Sequence, residues 1–457
     1  MAGKLTRRQV LLRATTAGGA ALAAPYVIPS GVLAWSGRIG ANERIVLGGI
    51  GVRRMGGALL RRGFARCPQV RIAAVADVDL RVAEAIATPR AEDERLVSDR
   101  WTPPHEPADL REVERYQDYR RILDREDIDA VVIATPEHWH ALPCIQAAQA
   151  GMDIYCEKPL GRTIHEGQKI VQAVRKYERV FQTGTQRRSA DEWYTACSLI
   201  RNGRLGKVLR VIDRNYRSPV EPELPSSQDI PAQMDWDMWC GPSPRYPFNT
   251  SIQGNGMSPG LTYRSYRDFA GANFTCTGSH FLDMVQWALG MDDSGPIEVW
   301  TEGEPFDSRT GRGPRVFMLY PGDIRLECTA GSSPPRFVGE NGTLTVRGTD
   351  VVSDPPELAA EPLVDPQVEL YRSTNHYLDW LECIPDRRRP VADVEMGHRS
   401  VTVAHLGNIA RWVSEQTGET GQRLQWDPRA ERFANSDLAN SFLEQPSREP
   451  YQLPEEV

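Results

Sequence analysis

The run Arg44-Ile-Val-Leu-Gly-Gly-Ile-Gly51-Val-Arg53-Arg54-Met-Gly56-Gly57-Ala58 reads as a short apolar strand, a glycine-rich turn and the start of a helix. Such a unit brings backbone N–H groups and a helix N-terminus to where a pyrophosphate can meet them. In the register Gly51-x-Arg53-x-x-Gly56 the tight-turn and helix-packing glycines are present and Arg53 takes the middle position. In the register Gly49-x-Gly51-x-x-Arg54 the last glycine is missing. The first is preferred, because it ends the strand at Ile50, where the turn should begin. Alone the turn would be weak, since an ordinary strand–turn–helix can carry it. Asp77 adds weight: it closes the next strand, Ala74-Val-Ala-Asp77, where an acid bonds ribose hydroxyls and repels a 2′-phosphate. NAD is therefore expected over NADP, with Arg53 either contacting the pyrophosphate or crowding it.

Outward from this turn, residues 44–186 alternate short apolar runs with helical segments, the pattern of a parallel sheet wrapped by helices. The expected strands are 45–50, 70–78, 130–135, 153–157 and 180–184, and the expected helices 54–64, 138–150 and 164–179. The Pro- and charge-rich stretch 89–111 interrupts the pattern and reads as an inserted surface loop. Beyond about residue 188, strands at 207–214, 297–301, 315–320, 324–329 and 343–346 are joined by hairpins or long loops, which argues for an antiparallel sheet. Helices are expected over 281–289, 375–383 and 398–415. The fold class is thus α/β plus α+β. A Rossmann doubly wound sheet (44–188) precedes a domain with an open antiparallel sheet (189–425), and the tail 426–457 reads as polar and irregular.

Composition narrows the function. The 457 residues are 40% apolar and 25% charged, with net charge -7 and no apolar run of membrane-spanning length. Lys and Arg are dispersed, so no nucleic-acid footprint is present and a small-molecule partner is expected. The eight cysteines are far apart and fit no zinc spacing. His138 and His140 form a His-x-His pair without a third ligand nearby, so no metal is expected. At the front, Thr6-Arg7-Arg8-Gln9-Val10-Leu11-Leu12 leads into an Ala/Gly-rich stretch with Ala21-Leu22-Ala23 and Val32-Leu33-Ala34 as cleavage candidates. Residues 1–34 are read as a twin-arginine export signal and leader, giving an extracytoplasmic or periplasmic location and no membrane span after its removal.

The segments from Ala130 through Thr135-Pro136-Glu137-His138-Trp139-His140 and Tyr155-Cys156-Glu157-Lys158-Pro159 resemble the Gfo/Idh/MocA oxidoreductases. The likeness continues through Gln182-Thr-Gly-Thr-Gln186-Arg187, Asp235-Trp-Asp-Met-Trp-Cys-Gly-Pro242, Gly278-Ser-His280-Phe-Leu-Asp283 and Ala392-Asp-Val-Glu-Met-Gly-His398. It covers nearly the whole mature chain and implies an NAD(P) domain beside an open sheet domain, acting on sugars or cyclitols. It implies Lys158 as the cation beside the reacting oxygen, aimed by Pro159 after a cis bond, and His280 as the proton-transfer residue. Four positions before His280 the family has an Asp bonding both the His and the substrate, and this chain has Cys276, which puts standard dehydrogenation in question. A neutral thiol cannot stabilise an imidazolium as a carboxylate does.

Thr135, Pro136, Glu137, His138, His140 and Glu157 read as cofactor-pocket and packing residues. Gln186, Arg187, Tyr216 and Arg217 read as candidate sugar contacts, and Asp283, one turn beyond His280, as a structural acid that could supply part of the missing charge. Trp236 and Trp239 read as packing residues. The leading function is oxidoreduction of a sugar hydroxyl or carbonyl with tightly held NAD. A redox-neutral NAD-dependent glycoside hydrolase and a non-catalytic binding protein are the alternatives, and a homo-oligomer through the open sheet is expected from the resemblance.

Overall fold

The computed structural model describes residues 44–221, 226–254, 261–329 and 334–457; the stretch read as an export signal lies outside these described residues. Six parallel strands form the first sheet: β1 Ile45–Ile50, β2 Val70–Ala76, β3 Glu114–Tyr116, β4 Ala130–Ile133, β5 Asp153–Cys156 and β6 Phe181–Thr183. Their order is β3-β2-β1-β4-β5-β6. Strands covered on both faces need no alternation, and all four residues of β4 and of β5 are buried. The order reverses between β1 and β4, and ligands of such sheets bind beyond the strand ends at that point.

At that point Gly51 has φ +74°, and a Cβ there would lie 2.8 Å from the backbone nitrogen of Thr135, which follows β4. A Cβ on Gly56 would strike the Gly51 carbonyl oxygen. Glycine is therefore required at the two positions of the preferred register. The expected helix 54–64 forms in pieces: an α turn Met55–Ala58, a π turn Leu59–Gly63 and a 3-10 turn Phe64–Arg66. Three glycines in this stretch weaken it as a helix, and Arg61 turns inward to Asp93 at 2.6 Å.

That pair refines the reading of 89–111 as a surface loop: most of the segment is exposed, but it is neither unstructured nor loose. The segment contains helical turns Asp93–Leu96 and Asp99–Trp101. It is anchored by the buried Arg61–Asp93 pair, by Arg100 on Glu192 (2.9 Å), and by the Asn375 amide donating to the Trp101 carbonyl (3.0 Å). A charge-rich composition suggests solvation, but Asp93 has an internal partner that lies more than thirty positions away and leaves no local trace.

The second sheet contains β7 Val208–Arg214, β8 Glu298–Glu302, β9 Arg315–Tyr320, β10 Ile324–Thr329, β11 Arg336–Gly339, β12 Gly342–Arg347, β13 Asp350–Asp354, β14 Leu424–Asp427 and β15 Arg432–Phe433. The order is β13-β12-β11-β7-β10-β9-β8-β14-β15, antiparallel throughout except for the parallel β7–β10 pair. Among the described residues the helices of nine or more residues are α1 Ala141–Gln149, α2 Ile164–Lys176, α3 Asp191–Arg201, α4 Gly278–Leu289, α5 His376–Asp386 and α6 Val394–Thr417. Helices α3, α4 and α6 cover one face of the second sheet, burying Trp193, Phe281, Leu406 and Trp412 with Val211, Met318 and Leu326.

Helix α5 turns back to the first sheet. Tyr377 and Trp380 meet Phe64 edge-on, with ring centroids 5.4 and 5.5 Å apart. The tail is also more ordered than expected: β14 and β15 pair, and Phe433, Phe442 and Tyr451 are buried. Its aromatic anchors are too widely spaced among polar residues to show a period. No helix of the described residues is long and apolar enough to cross a membrane.

Candidate active site

A cavity of about 530 Å³ opens at the carboxyl edge of the first sheet. Of the residues singled out in the sequence, Gly51, Arg53, Asp77, Thr135, Pro136, Glu157, Lys158, Gln186, Arg187 and His280 line it. One end is the glycine turn. There the Asp77 carboxylate accepts from the Val52 and Asp79 amides, both at 3.1 Å. Burial pushes Asp77 up to about 6, against the pull of those two amides and of Arg53.

The other end is built around Lys158, whose peptide bond to Pro159 is cis, as the resemblance implies. The Lys158 ammonium donates to the Cys276 carbonyl (3.0 Å) and lies 3.9 Å from the Cys276 Sγ. Cys276 ends a short helix, Ala272–Cys276, and His280 lies in the first turn of α4. Glu137 positions this segment, its buried carboxylate accepting from the Gly271 amide (3.1 Å) and the Thr275 hydroxyl (2.9 Å), while the Asn408 amide holds the Gly271 carbonyl (3.0 Å). Burial, and then the cations Lys158 and Arg187, hold His280 well below its ordinary range, so its ring is neutral at physiological pH. Burial pushes Glu157 up to about 7, against Lys158, and its Oε1 accepts from the Gln186 amide at 2.8 Å.

His138 and His140 stand behind the wall. His138 Nε2 pairs with the Trp239 carbonyl (3.0 Å), and His140 lies between the carbonyls of Pro159 (2.7 Å) and Thr135 (2.9 Å), its neutral ring having one N–H to donate to one of them. Burial pushes them down to about 3 and about 4. Tyr216, Arg217 and Asp283 also lie off the wall. The Tyr216 hydroxyl donates to Asp213 (3.0 Å), Arg217 is exposed, and Asp283 is held by Arg188 (2.7 Å) and the Ser400 hydroxyl (2.7 Å). Trp236 and Trp239 stack at 4.5 Å, and only the second of the two reaches the cavity.

The sequence reading missed Arg95, Arg100, Trp101, Glu192, Tyr263 and Arg264, all on the wall. The run Tyr263-Arg264-Ser265-Tyr266-Arg267, rich in Arg and Tyr and lacking any period, was the available signal for Arg264.

A dinucleotide fits this wall on three observations. The turn has no room for a side chain at Gly51 or Gly56, Asp77 is fixed at the end of β2, and among the described residues four buried polar atoms on the cavity wall have no partner: Trp101 Nε1, Thr135 Oγ1, Arg187 Nε and His280 Nδ1. A family model described as an oxidoreductase family NAD-binding Rossmann fold matches residues 45–185. Another, described as the oxidoreductase family C-terminal alpha/beta domain, matches residues 220–453, more than half of the chain. The chain belongs to the Gfo/Idh/MocA oxidoreductase family.

Levoglucosan dehydrogenase of Pseudarthrobacter phenanthrenivorans is 40% identical over 209 residues, which is 43% of this chain and 45% of that protein. An inositol 2-dehydrogenase of Paenarthrobacter aurescens is 32% identical over 176 residues, 38% of this chain and 46% of that one. The chain thus matches about half the length or less of these curated relatives. Among solved structures, the WlbA dehydrogenase of Bordetella pertussis, in complex with NADH and UDP-GlcNAcA, aligns with TM-score 0.55 at 16% identity, over 84% of this chain and 99% of that one. Aldose-aldose oxidoreductase of Caulobacter crescentus, complexed with glycerol, aligns at 0.52 and 20% identity, over 83% and 99%. At these identities the likeness concerns the fold.

Proposed function

We propose that this Gfo/Idh/MocA family member oxidises a hydroxyl, or reduces a carbonyl, of a sugar or sugar derivative, using NAD in preference to NADP. The observation that carries the reading is the placement of Lys158 and His280 on the wall of one cavity whose other end is the Gly51 turn with Asp77. When bound, the nicotinamide supplies the two-electron acceptor or donor. The Gly51 turn would hold the pyrophosphate, and the Asp77 carboxylate would accept from the ribose hydroxyls and repel a 2′-phosphate. Lys158, held through one N–H by the Cys276 carbonyl, keeps N–H groups for the substrate oxygen and stabilises negative charge on it. A neutral His280 accepts the hydroxyl proton as the carbon–hydrogen bond breaks and the carbonyl forms.

Segment 89–111 supports tight retention of the cofactor, since Arg95, Leu96, Arg100 and Trp101 wall the cavity and the Arg100–Glu192 pair fastens them. Export with cofactor already loaded is proposed from residues 6–34, and fractionation of cells tests it. Association of copies through the open sheet face is proposed from the resemblance; on that face Arg325 lies over the Trp300–Phe317 stack (5.6 Å), whose rings are buried. Light scattering tests that.

The test of the activity is to denature the purified protein, assay the released nucleotide, and incubate intact protein with a panel of sugars, glycosides and polyols under mass spectrometry. Bound NAD with a keto product, or reduction of a supplied keto sugar, is expected. Free sugar released without net NADH would replace this reading with redox-neutral cleavage. Bound NAD with no turnover of any compound would leave a binding protein.

A further inference from the structure

We propose that the substrate of this site is a sugar acid, a uronate or aldonate whose carboxylate is held by Arg187 and Arg264, and not a neutral sugar. The inference rests on the oxidoreductase reading for the site and adds the charge of its ligand.

Three cations line the catalytic end: Lys158, Arg187 and Arg264. The neighbouring acids are engaged elsewhere. Glu192 pairs with Arg100 at 2.9 Å, Asp283 with Arg188 at 2.7 Å, Glu157 accepts from Gln186, and Glu137 accepts from Gly271 and Thr275. Among the described residues no carboxylate pairs with Lys158, Arg187 or Arg264. At position 276 a thiol stands beside the lysine, 3.9 Å from its ammonium. Among the described residues the Arg264 side chain donates to the Tyr263 hydroxyl at 3.2 Å.

Arg187 is the most telling. Its guanidinium lies 4.4 Å from the centre of the Phe281 ring, which fixes its plane, and its buried Nε has no partner. Burial holds this guanidinium below its ordinary range. A half-buried cation whose neighbouring acid, Glu192, is shared with Arg100 is only partly offset, and a planar guanidinium edge matches a carboxylate with two parallel hydrogen bonds. The free Nε is on the edge that makes such a pair. A carboxylate delivered by the ligand removes the charge excess and satisfies the orphan donor.

Calorimetry on NAD-loaded protein tests this with glucuronate and gluconate against levoglucosan, myo-inositol and glucose 6-phosphate. Glucuronate or gluconate is expected to bind at least about tenfold more tightly than the neutral compounds and more tightly than the phosphate, with the preference weakening in salt. Arg187→Met, and separately Arg264→Met, are expected to lower affinity for the acid by about ten- to hundredfold and for levoglucosan by much less. Neutral sugars bound as tightly as the acids, or a phosphate ester bound better, overturns the inference in the unmutated protein, so the outcome does not depend on the variants folding. Turnover of neutral sugars without preference for acids sinks this inference and leaves the oxidoreductase reading intact. Tight, Arg187-dependent acid binding with no redox turnover does the reverse.

Discussion

At the scale of single residues, Cys276 stands where the resemblance implies an Asp, and the consequence is electrostatic. The thiol leaves His280 facing Lys158 and Arg187 with no anion to offset them, which adds to the burial that holds its ring neutral. Cys276→Asp places a carboxylate within reach of the lysine ammonium and turns this end of the cavity from cationic toward neutral. The variant is expected to oxidise neutral polyols faster than the parent, to shift the dependence of kcat/KM on His280 to higher pH, and to lose preference for acids. Steady-state rates across pH check it, and an unchanged profile would show that position 276 does not act on His280. At the opposite end, Asp77 titrates at about 6 and serves the ribose only when ionised. NAD affinity of stripped protein is therefore expected to fall as pH drops through about 6, and Asp77→Asn to remove that dependence while narrowing the preference for NAD over NADP. Fluorescence titrations with both nucleotides at pH 5 and 8 measure it.

At the scale of elements, β7 carries a buried acid with a measurable signature. Asp213, opposite Cys328 on β10, accepts from the Arg214 amide (2.7 Å) and the Tyr216 hydroxyl (3.0 Å). Burial pushes it up to about 7 from an ordinary 3.8. The folded chain therefore holds this proton more tightly than the unfolded chain does. The contribution to stability is full below the unfolded value and is lost as pH rises toward 7, at a slope of up to about 1.4 kcal/mol per pH unit. Asp213→Asn keeps an acceptor without a titratable proton, so its stability relative to the parent is expected to rise between pH 4 and 7, as urea unfolding at several pH values can show. The same element illustrates what sequence can convey. Strands buried on both faces, such as β1, β4 and β5, are legible as apolar runs, and the glycines that must approach backbone are legible by their spacing. Strands β11 and β13 were not legible: β11 is four residues long with Phe337 as its core residue, β13 is polar at both ends and has no buried residue, and only their neighbours in the sheet define them. Of the adjacent pair Arg187 and Arg188, the first reaches the cavity and the second is buried against Asp283 and Asp292. That choice depends on residues about a hundred positions away, and no local pattern encodes it.

At the scale of the whole molecule, the two sheets are built by a chain that crosses back. Residues 44–188 contain every strand of the first sheet, yet its core includes Tyr377, Trp380, Leu381 and Ile384 from α5. The attachment is polar as well: His376 Nε2 faces the Thr183 carbonyl at 2.9 Å, and Arg387 pairs with Asp153 at 2.6 Å. Removing α5 would uncover Phe64 and Tyr155, both fully buried and both meeting the Trp380 ring. Loss of one buried tryptophan costs about 3–5 kcal/mol, comparable with a good part of the roughly 5–15 kcal/mol that stabilises a typical domain. A chain ended after Ser189 is therefore expected to lack a cooperative thermal transition and fixed aromatic circular dichroism, although it holds the entire nucleotide turn. Trp380→Ala in the full chain is expected to lower unfolding free energy by about that amount and to weaken NAD binding only through stability, so that nucleotide affinity recovers at low temperature. If the truncated chain melts cooperatively and binds NAD, the nucleotide half folds alone, and α5 is a brace on a finished domain instead of part of its core.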